Sequence, residues 1–251
     1  MSHISKRFYR DRVSLNVLTK GLDNAKDIFE AADGFVLVGV LSKDYASVEE
    51  AVAAMKMYGK EIEEAVSIGL GGGDNRQAAM VAEIAKHYPG SHINQVFTAV
   101  GATRANLGNQ DSWINSLVSP SGRPGYVNIS TGPHSAAQSE HAVVPIKSAI
   151  ALVRDMGGNA LKFFPMKGLS CEDEFRAVAK ACAEEGFALE PTGGLDKQNF
   201  EPILRIALEA GVPKIIPHVY SSIMDSETGK TNIEDVRELV AIMKKLADHY
   251  A

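Results

Sequence analysis

Short apolar runs rich in Val, Ile, Leu and Phe alternate along the chain with longer stretches whose apolar residues recur at helical spacing. The short runs predict strands at residues 14–18, 35–41, 65–70, 95–100, 126–130, 160–164, 187–190 and 214–217. Several are apolar throughout, as strands covered by helices should be. The longer stretches predict helices at 23–32, 47–58, 75–88, 104–117, 138–156, 171–185, 199–210 and 233–250. Asp23, Ser47, Asp74 and Ser170 stand where helix caps are wanted, and Gly59, Gly90, Gly157, Gly186 and Gly211 where helices stop. Eight strand–helix pairs without a long Pro- or Ser-rich linker predict one α/β domain over residues 1–251, a closed parallel (β/α)8 (TIM) barrel rather than an open doubly wound sheet. Asn16 interrupts the first strand, and residues 119–125 read as a loop. In such a barrel the chemistry is expected at the carboxyl ends of the strands.

Composition narrows the class without choosing a function. The 251 residues are 45% hydrophobic and 23% charged, ordinary globular values for a chain long enough to bury a core unaided. Lysine and arginine total 26 against 31 acidic residues, giving 26 − 31 = −5. That mild negative balance argues against nucleic acid or an anionic membrane as a partner and leaves room for a small basic site. Cys171 and Cys182 fall in one predicted helix, too far apart to bridge and too few for a zinc site. Free thiols, a polar start at residues 1–16 and no apolar run approaching about 18 residues give the expectation of a cytoplasmic protein without a signal peptide or membrane span. Apolar helix faces suggest a homo-oligomer.

Chemistry concentrates at the sixth predicted strand. In Asn159-Ala160-Leu161-Lys162-Phe163-Phe164-Pro165 a lysine sits inside an apolar strand. Burying an ammonium without a partner is costly, and a lowered pKa relieves the cost by leaving a neutral amine that can attack a carbonyl. Alternation puts Ala160, Lys162 and Phe164 on one face and Leu161 and Phe163 on the other. A salt-bridged or snorkelling lysine is the structural alternative. Lys167 follows Pro165 in a loop, where solvation is expected.

Leu161-Lys162-Phe163-Phe164-Pro165, followed some 30 residues on by Pro191-Thr192-Gly193-Gly194, resembles the 2-keto-3-deoxy-6-phosphogluconate aldolases. The spacing and the loop of Gly71, Gly72 and Gly73 resemble the branch associated with D-glucosaminate catabolism. The firm match covers roughly residues 157–200. The resemblance implies a (β/α)8 barrel whose sixth-strand lysine, here Lys162, forms a Schiff base. It implies cleavage of a phosphorylated 2-keto-3-deoxy acid to pyruvate and glyceraldehyde 3-phosphate, with no cofactor and no metal. Two departures stand out. Better-known members carry a glutamate on the second strand, but residues 35–41 hold no acid. The family's Gly-Ser pair after the eighth strand is replaced here by His218-Val219-Tyr220-Ser221-Ser222.

Around the lysine, Thr192, Gly193 and Gly194 open a helix, where backbone N–H groups and the helix end favour a phosphate. Phe164, His218, Ser221 and Ser222 are expected to complete the substrate site. Arg104 is either a bidentate grip for the pyruvyl carboxylate or a surface arginine. The loop of Gly71 to Gly73 is either a close approach for substrate or a turn, and lacks the dinucleotide spacing. For the proton shuttle the candidates are Glu190, whose burial would raise its pKa, His134 and Asp44. A metal-dependent aldolase or sugar-phosphate epimerase would instead use His134, His141 and His218 with Asp44 or Asp74, but their spacing is loose and Lys162 would have no role. A phosphometabolite-binding protein without turnover is the third reading, and no partner-binding segment supports it.

Overall fold

The computed structural model describes residues 3–250. Strand β1 (Leu15–Leu18) pairs in parallel with β2 (Val36–Leu41), β2 with β3 (Val66–Gly69), β3 with β4 (His92–Val96), and β4 with β5 (Trp113–Pro120). The next two strands, β6 (Tyr126–Asn128) and β7 (Val143–Pro145), form an antiparallel excursion off the end of β5. The parallel order resumes with β8 (Ala160–Phe163) on β5 and β9 (Ala188–Pro191) on β8. An extended segment, residues 214–218, closes the ring through Leu189–Ile215 and Thr192–His218 on one side and Val13–Ile215 and Asn16–His218 on the other. Seven of the nine strands plus this segment make the eight staves of a (β/α)8 barrel, with Lys162 on the sixth.

Eight helices wrap the staves: α1 (Leu22–Ala31), α2 (Val48–Glu61), α3 (Ala78–His87), α4 (Val100–Leu107), α5 (Ile146–Asp155), α6 (Glu172–Glu184), α7 (Phe200–Glu209) and α8 (Ile233–His249). The main hydrophobic core lies between them and the outward strand residues, such as Val38, Ile93, Leu161 and Phe163. Ser47 caps α2 by accepting from the Glu50 N–H at 3.2 Å, whereas Gly59 lies inside that helix rather than ending it. Cys171 and Cys182 are free thiols.

Three expectations need correction. The fourth stave is residues 92–96 rather than 95–100, because Val100 already opens α4. Residues 104–117 are not one helix: α4 stops at Leu107, and the fifth stave starts at Trp113. The predicted fifth strand at 126–130 is the hairpin strand β6, and the helix predicted from 138 begins only after Pro145. Lys162 keeps its place in the count because one stave was missed and one hairpin strand was counted.

The barrel interior is layered. At the amino ends of the staves Ile4 and Phe8 pack with Leu37, Ile216 and Trp113, and the Phe8 and Trp113 rings lie 5.4 Å apart. This apolar floor closes the barrel from below. Above it the inward positions turn polar: Asn16, Ser67, His92, Asn94, Asn115, Lys162, Glu190 and His218 are all buried. Gly39 and Gly69 have no room for a side chain, since a Cβ would fall 2.8 Å from Leu18 Cδ2 and 2.6 Å from Leu41 Cδ2.

Arg104 belongs to the opposite end from the mouth. Its guanidinium donates to the Gly157 carbonyl at 2.8 Å, Asn159 Oδ1 at 2.9 Å, the Ser112 carbonyl at 3.0 Å and the Gln110 carbonyl at 3.3 Å. These acceptors sit at the starts of β5 and β8, so Arg104 ties two staves together and does not reach a substrate carboxylate. Arg104→Ala is expected to cost about 2 kcal/mol, a drop in Tm on the order of 5 °C, because it strips charge-assisted donors from half-buried carbonyls. Thermal unfolding checks the loss, and an unchanged Tm would remove this structural role.

Candidate active site

Lys162 rises from β8 into the polar layer, 8% exposed, at the floor of a cavity of about 210 Å³ that opens at the carboxyl ends of the staves. Its Nζ donates to Asn94 Oδ1 at 2.8 Å and lies 3.3 Å from His218 Nδ1. Among the described residues no carboxylate stands within ion-pair distance of this nitrogen, which sets aside the salt-bridged alternative. Burial pulls the amine down to about 8, with the more distant Glu190 charge pulling the other way. Near neutral pH a useful fraction is therefore uncharged and nucleophilic. Lys167, by contrast, is exposed in the loop beyond Pro165.

Glu190 occupies the inward position of β9 beside Lys162 and is fully buried, with 0% exposure. Its Oε1 accepts from His92 Nε2 at 3.0 Å; its Oε2 accepts from His218 Nε2 at 2.8 Å and from Asn115 Nδ2 at 2.5 Å. Burial alone pushes this carboxyl upward, as the sequence reading assumed, but the two imidazole N–H groups outweigh it. The group is held below the ordinary carboxylate range. Glu190 is thus an ionised anchor for His218 rather than an acid of raised pKa. Burial, then the neighbouring Lys162 charge, pulls the His218 imidazole down to about 3, so it is neutral at physiological pH. Tyr220, whose phenol is pushed up by burial, donates to Asn16 Oδ1 at 2.9 Å and stands 2.7 Å from His218 Nδ1.

The other proposed shuttles are elsewhere. Asp44 is exposed beside Lys43, at 3.7 Å, and His134 is exposed in the loop after β6. His141 likewise lies on that loop, 3.3 Å from Asn128, and Asp74 pairs with Arg76, so the metal set of the sequence reading is not assembled. A different trio, His92, Glu190 and His218, places three ligand atoms within 4.8 Å of one another. These atoms already share protons, and a cation there would have to displace the N–H groups that join them.

At the mouth, Thr192, Gly193, Gly194, His218 and Ser221 line the cavity with Phe164, Tyr220 and the loop of Gly71 to Gly73. Gly194 has φ +72°, and a Cβ there would fall 2.6 Å from the Gly168 nitrogen, so only glycine lets the two loops touch. Ser222 is turned away from the cavity and donates to the Leu195 carbonyl at 2.6 Å, tying the segment after the eighth stave to the loop after β9. Sequence reasoning missed Asn16, Ser67, His92, Asn94, Asn115 and Tyr220. The available signal was a polar residue at alternate positions of otherwise apolar strands, as in His92-Ile93-Asn94-Gln95-Val96.

The family model described as KDGP aldolase matches residues 9–227. A protein of Salmonella typhimurium (strain 14028s) named 2-dehydro-3-deoxy-phosphogluconate aldolase is 48% identical over 243 residues, covering 95% of this chain and 98% of that protein. Among solved structures, (S)-3-O-geranylgeranylglyceryl phosphate synthase from Thermoplasma acidophilum superposes with a TM-score of 0.58 at 13% identity, covering 98% of this chain and 99% of that one. KGPDC from Streptococcus mutans gives 0.58 at 11% identity, with 94% and 99% covered. At those identities the two structures speak for the barrel alone. The breadth of the family match and the identity to the Salmonella protein go further: the chain belongs to the KDGP aldolase family and is a carbon–carbon lyase.

Proposed function

We propose that the protein is a Schiff-base aldolase that cleaves 2-keto-3-deoxy-6-phosphogluconate to pyruvate and glyceraldehyde 3-phosphate, with Lys162 as the covalent catalyst. The observation that carries this reading is a buried amine, pulled to about 8 and free of a carboxylate partner, at the floor of the one cavity that the family's lysine and glycine motifs share. Neutral Nζ adds to the C2 carbonyl, and the carbinolamine loses water to give a protonated imine. That cation draws electrons from the C3–C4 bond. When the C4 hydroxyl gives up its proton, the bond breaks, the aldehyde leaves, and an enamine remains on Lys162. Protonation at C3 and hydrolysis then release pyruvate and the free amine.

Asn94 and His218 are the groups placed to serve those steps at Nζ: Asn94 Oδ1 aims the amine, and His218 Nδ1 takes up and returns its proton. Glu190 supports the imidazolium formed on the way. Thr192, Gly193, Gly194 and Ser221 would receive the phosphate, with Phe164 as the apolar wall between phosphate and imine. The reading includes a cytoplasmic homo-oligomer, supported by the two free thiols and by Val143 and Leu152, which are 44% and 43% exposed. A cation-dependent reaction at His92, Glu190 and His218 is the competing reading, favoured only by their mutual proximity.

Borohydride added with pyruvate should reduce the imine, inactivate the enzyme and add one pyruvate-derived mass to the peptide containing Lys162. Because the neutral amine reacts, trapping should be slow below pH 7 and rise with pH through about 8. Lys162→Arg should abolish both trapping and turnover. Activity lost to a chelator and restored by a divalent metal, with no trapped adduct, would replace this reading with the cation-dependent one.

The phosphate end is tested separately. Ser221→Asp places a negative charge at the mouth without straining either glycine. It should raise KM for the phosphorylated substrate on the order of 10-fold, about 1.4 kcal/mol of lost binding, while leaving pyruvate trapping unchanged. Equal losses for both ligands would remove the assignment.

A further inference from the structure

The polar layer beneath Lys162 has a direction, and two of its amides fix it. Asn94 Nδ2 faces the Ile68 carbonyl at 3.0 Å, which can only accept, so Asn94 Oδ1 is the atom turned to Lys162. Asn115 Oδ1 faces the Gln95 N–H at 3.3 Å, which can only donate, so its Nδ2 is the atom turned to Glu190. Ser67 Oγ then accepts from Asn94 Nδ2 and Asn16 Nδ2, both at 3.0 Å, and its two lone pairs are used. Its single proton must go to His92 Nδ1, 2.8 Å away. His92 therefore carries its hydrogen on Nε2 and donates it to Glu190 Oε1. Glu190, satisfied on both oxygens as a carboxylate, requires the Nε2–H form of His218. His218 Nδ1 is left facing Lys162 Nζ at 3.3 Å and the Tyr220 oxygen at 2.7 Å.

We propose that Ser67 and His92 are positioning residues of the aldolase reaction: they keep Glu190 ionised as the acceptor of the His218 Nε2–H and so hold a negative charge beneath Lys162. The inference rests on the Schiff-base reading of Lys162. Neither residue touches the cavity, so each acts only through the chain. Removing the His92 N–H leaves Glu190 Oε1 buried without a donor, and the carboxylate relieves that by taking a proton. Its charge then disappears from beneath Lys162, and His218 loses the charged acceptor that holds its Nε2–H. The groups facing Lys162 are Asn94, His218, Glu190 and the Tyr220 ring, whose centroid lies 6.0 Å from Nζ, so Glu190 supplies the one fixed charge.

The test uses two variants that differ by one methylene. Gln at position 92 places its amide N–H where Nε2 stood, whereas Asn falls short of Glu190 and reaches only the Ser67 side. The readouts are kcat and the pH midpoint of borohydride trapping with pyruvate. His92→Asn and Glu190→Gln should each lower kcat on the order of 100-fold and move the midpoint down by about one pH unit, because the lost carboxylate charge was favouring the ammonium. His92→Gln should recover most of kcat and keep the wild-type midpoint. A second measurement needs no variant: 15N spectra of histidine-labelled protein should show a proton on Nε2 of both His92 and His218. An unmoved midpoint in folded His92→Asn, a His92→Gln no better than Asn, or an unprotonated Nε2 on either ring overturns the proposal. Absence of any trapping in the unmodified protein would instead overturn the Schiff-base reading, and this inference with it.

Discussion

A carboxylate buried in the middle of a closed barrel has no water to solvate it, and everything around Glu190 answers that constraint. Burying the charge unpaired would be prohibitive, so the protein supplies three N–H donors from three other staves: His92 on β4, Asn115 on β5 and His218 on the last. Each donor then needs its own second atom satisfied, which draws in Ser67, Asn94, Asn16 and Tyr220. One charge thus accounts for a whole polar stratum. That stratum also gives Lys162 an environment that is dry without being apolar, where an amine can be neutral and still be aimed.

The same stratum explains what could and could not be read from the chain. Staves whose inward residues are small or apolar, such as β2 with Leu37 and Gly39 and β3 with Ser67 and Gly69, stood out as hydrophobic runs, and Lys162 stood out because it interrupts one. On β4 and β5 the inward residues are His92, Asn94 and Asn115, and these diluted the apolar signal until residues 113–117 passed for the end of a helix. Asn16 looked like a flaw in the first strand when it is a member of the network. The fold was legible because seven of eight staves and the helical periods agree on it. Half of the site was not, because a functional residue at an alternating position looks like a weak strand. The role of Glu190 was misjudged for a related reason: burial is visible in a sequence, but the donors that reverse its effect come from distant staves.

The barrel itself settles little about chemistry. Proteins with unrelated sequences superpose on almost the full length of this chain, and what they share is the arrangement of staves and helices. The distinguishing information lies in a handful of inward side chains and in the loops after β3, β8 and β9. The loops after β8 and β9 and the segment after the last stave are stitched to one another, as Gly168 to Gly193 and Ser222 to Leu195 show, so this side of the mouth is a fixed rim rather than a set of independent strands of chain.

The floor made by Ile4, Phe8, Leu37, Trp113 and Ile216 has a kinetic meaning. With the far end plugged, the barrel is a blind well, and whatever reaches Lys162 comes and goes by a single doorway. The part of a substrate held deepest is then the last to depart, since the outer fragment stands in its path. Sequence in time is written here as depth: a five-residue stopper at the bottom imposes an order on traffic that no residue at the top has to enforce.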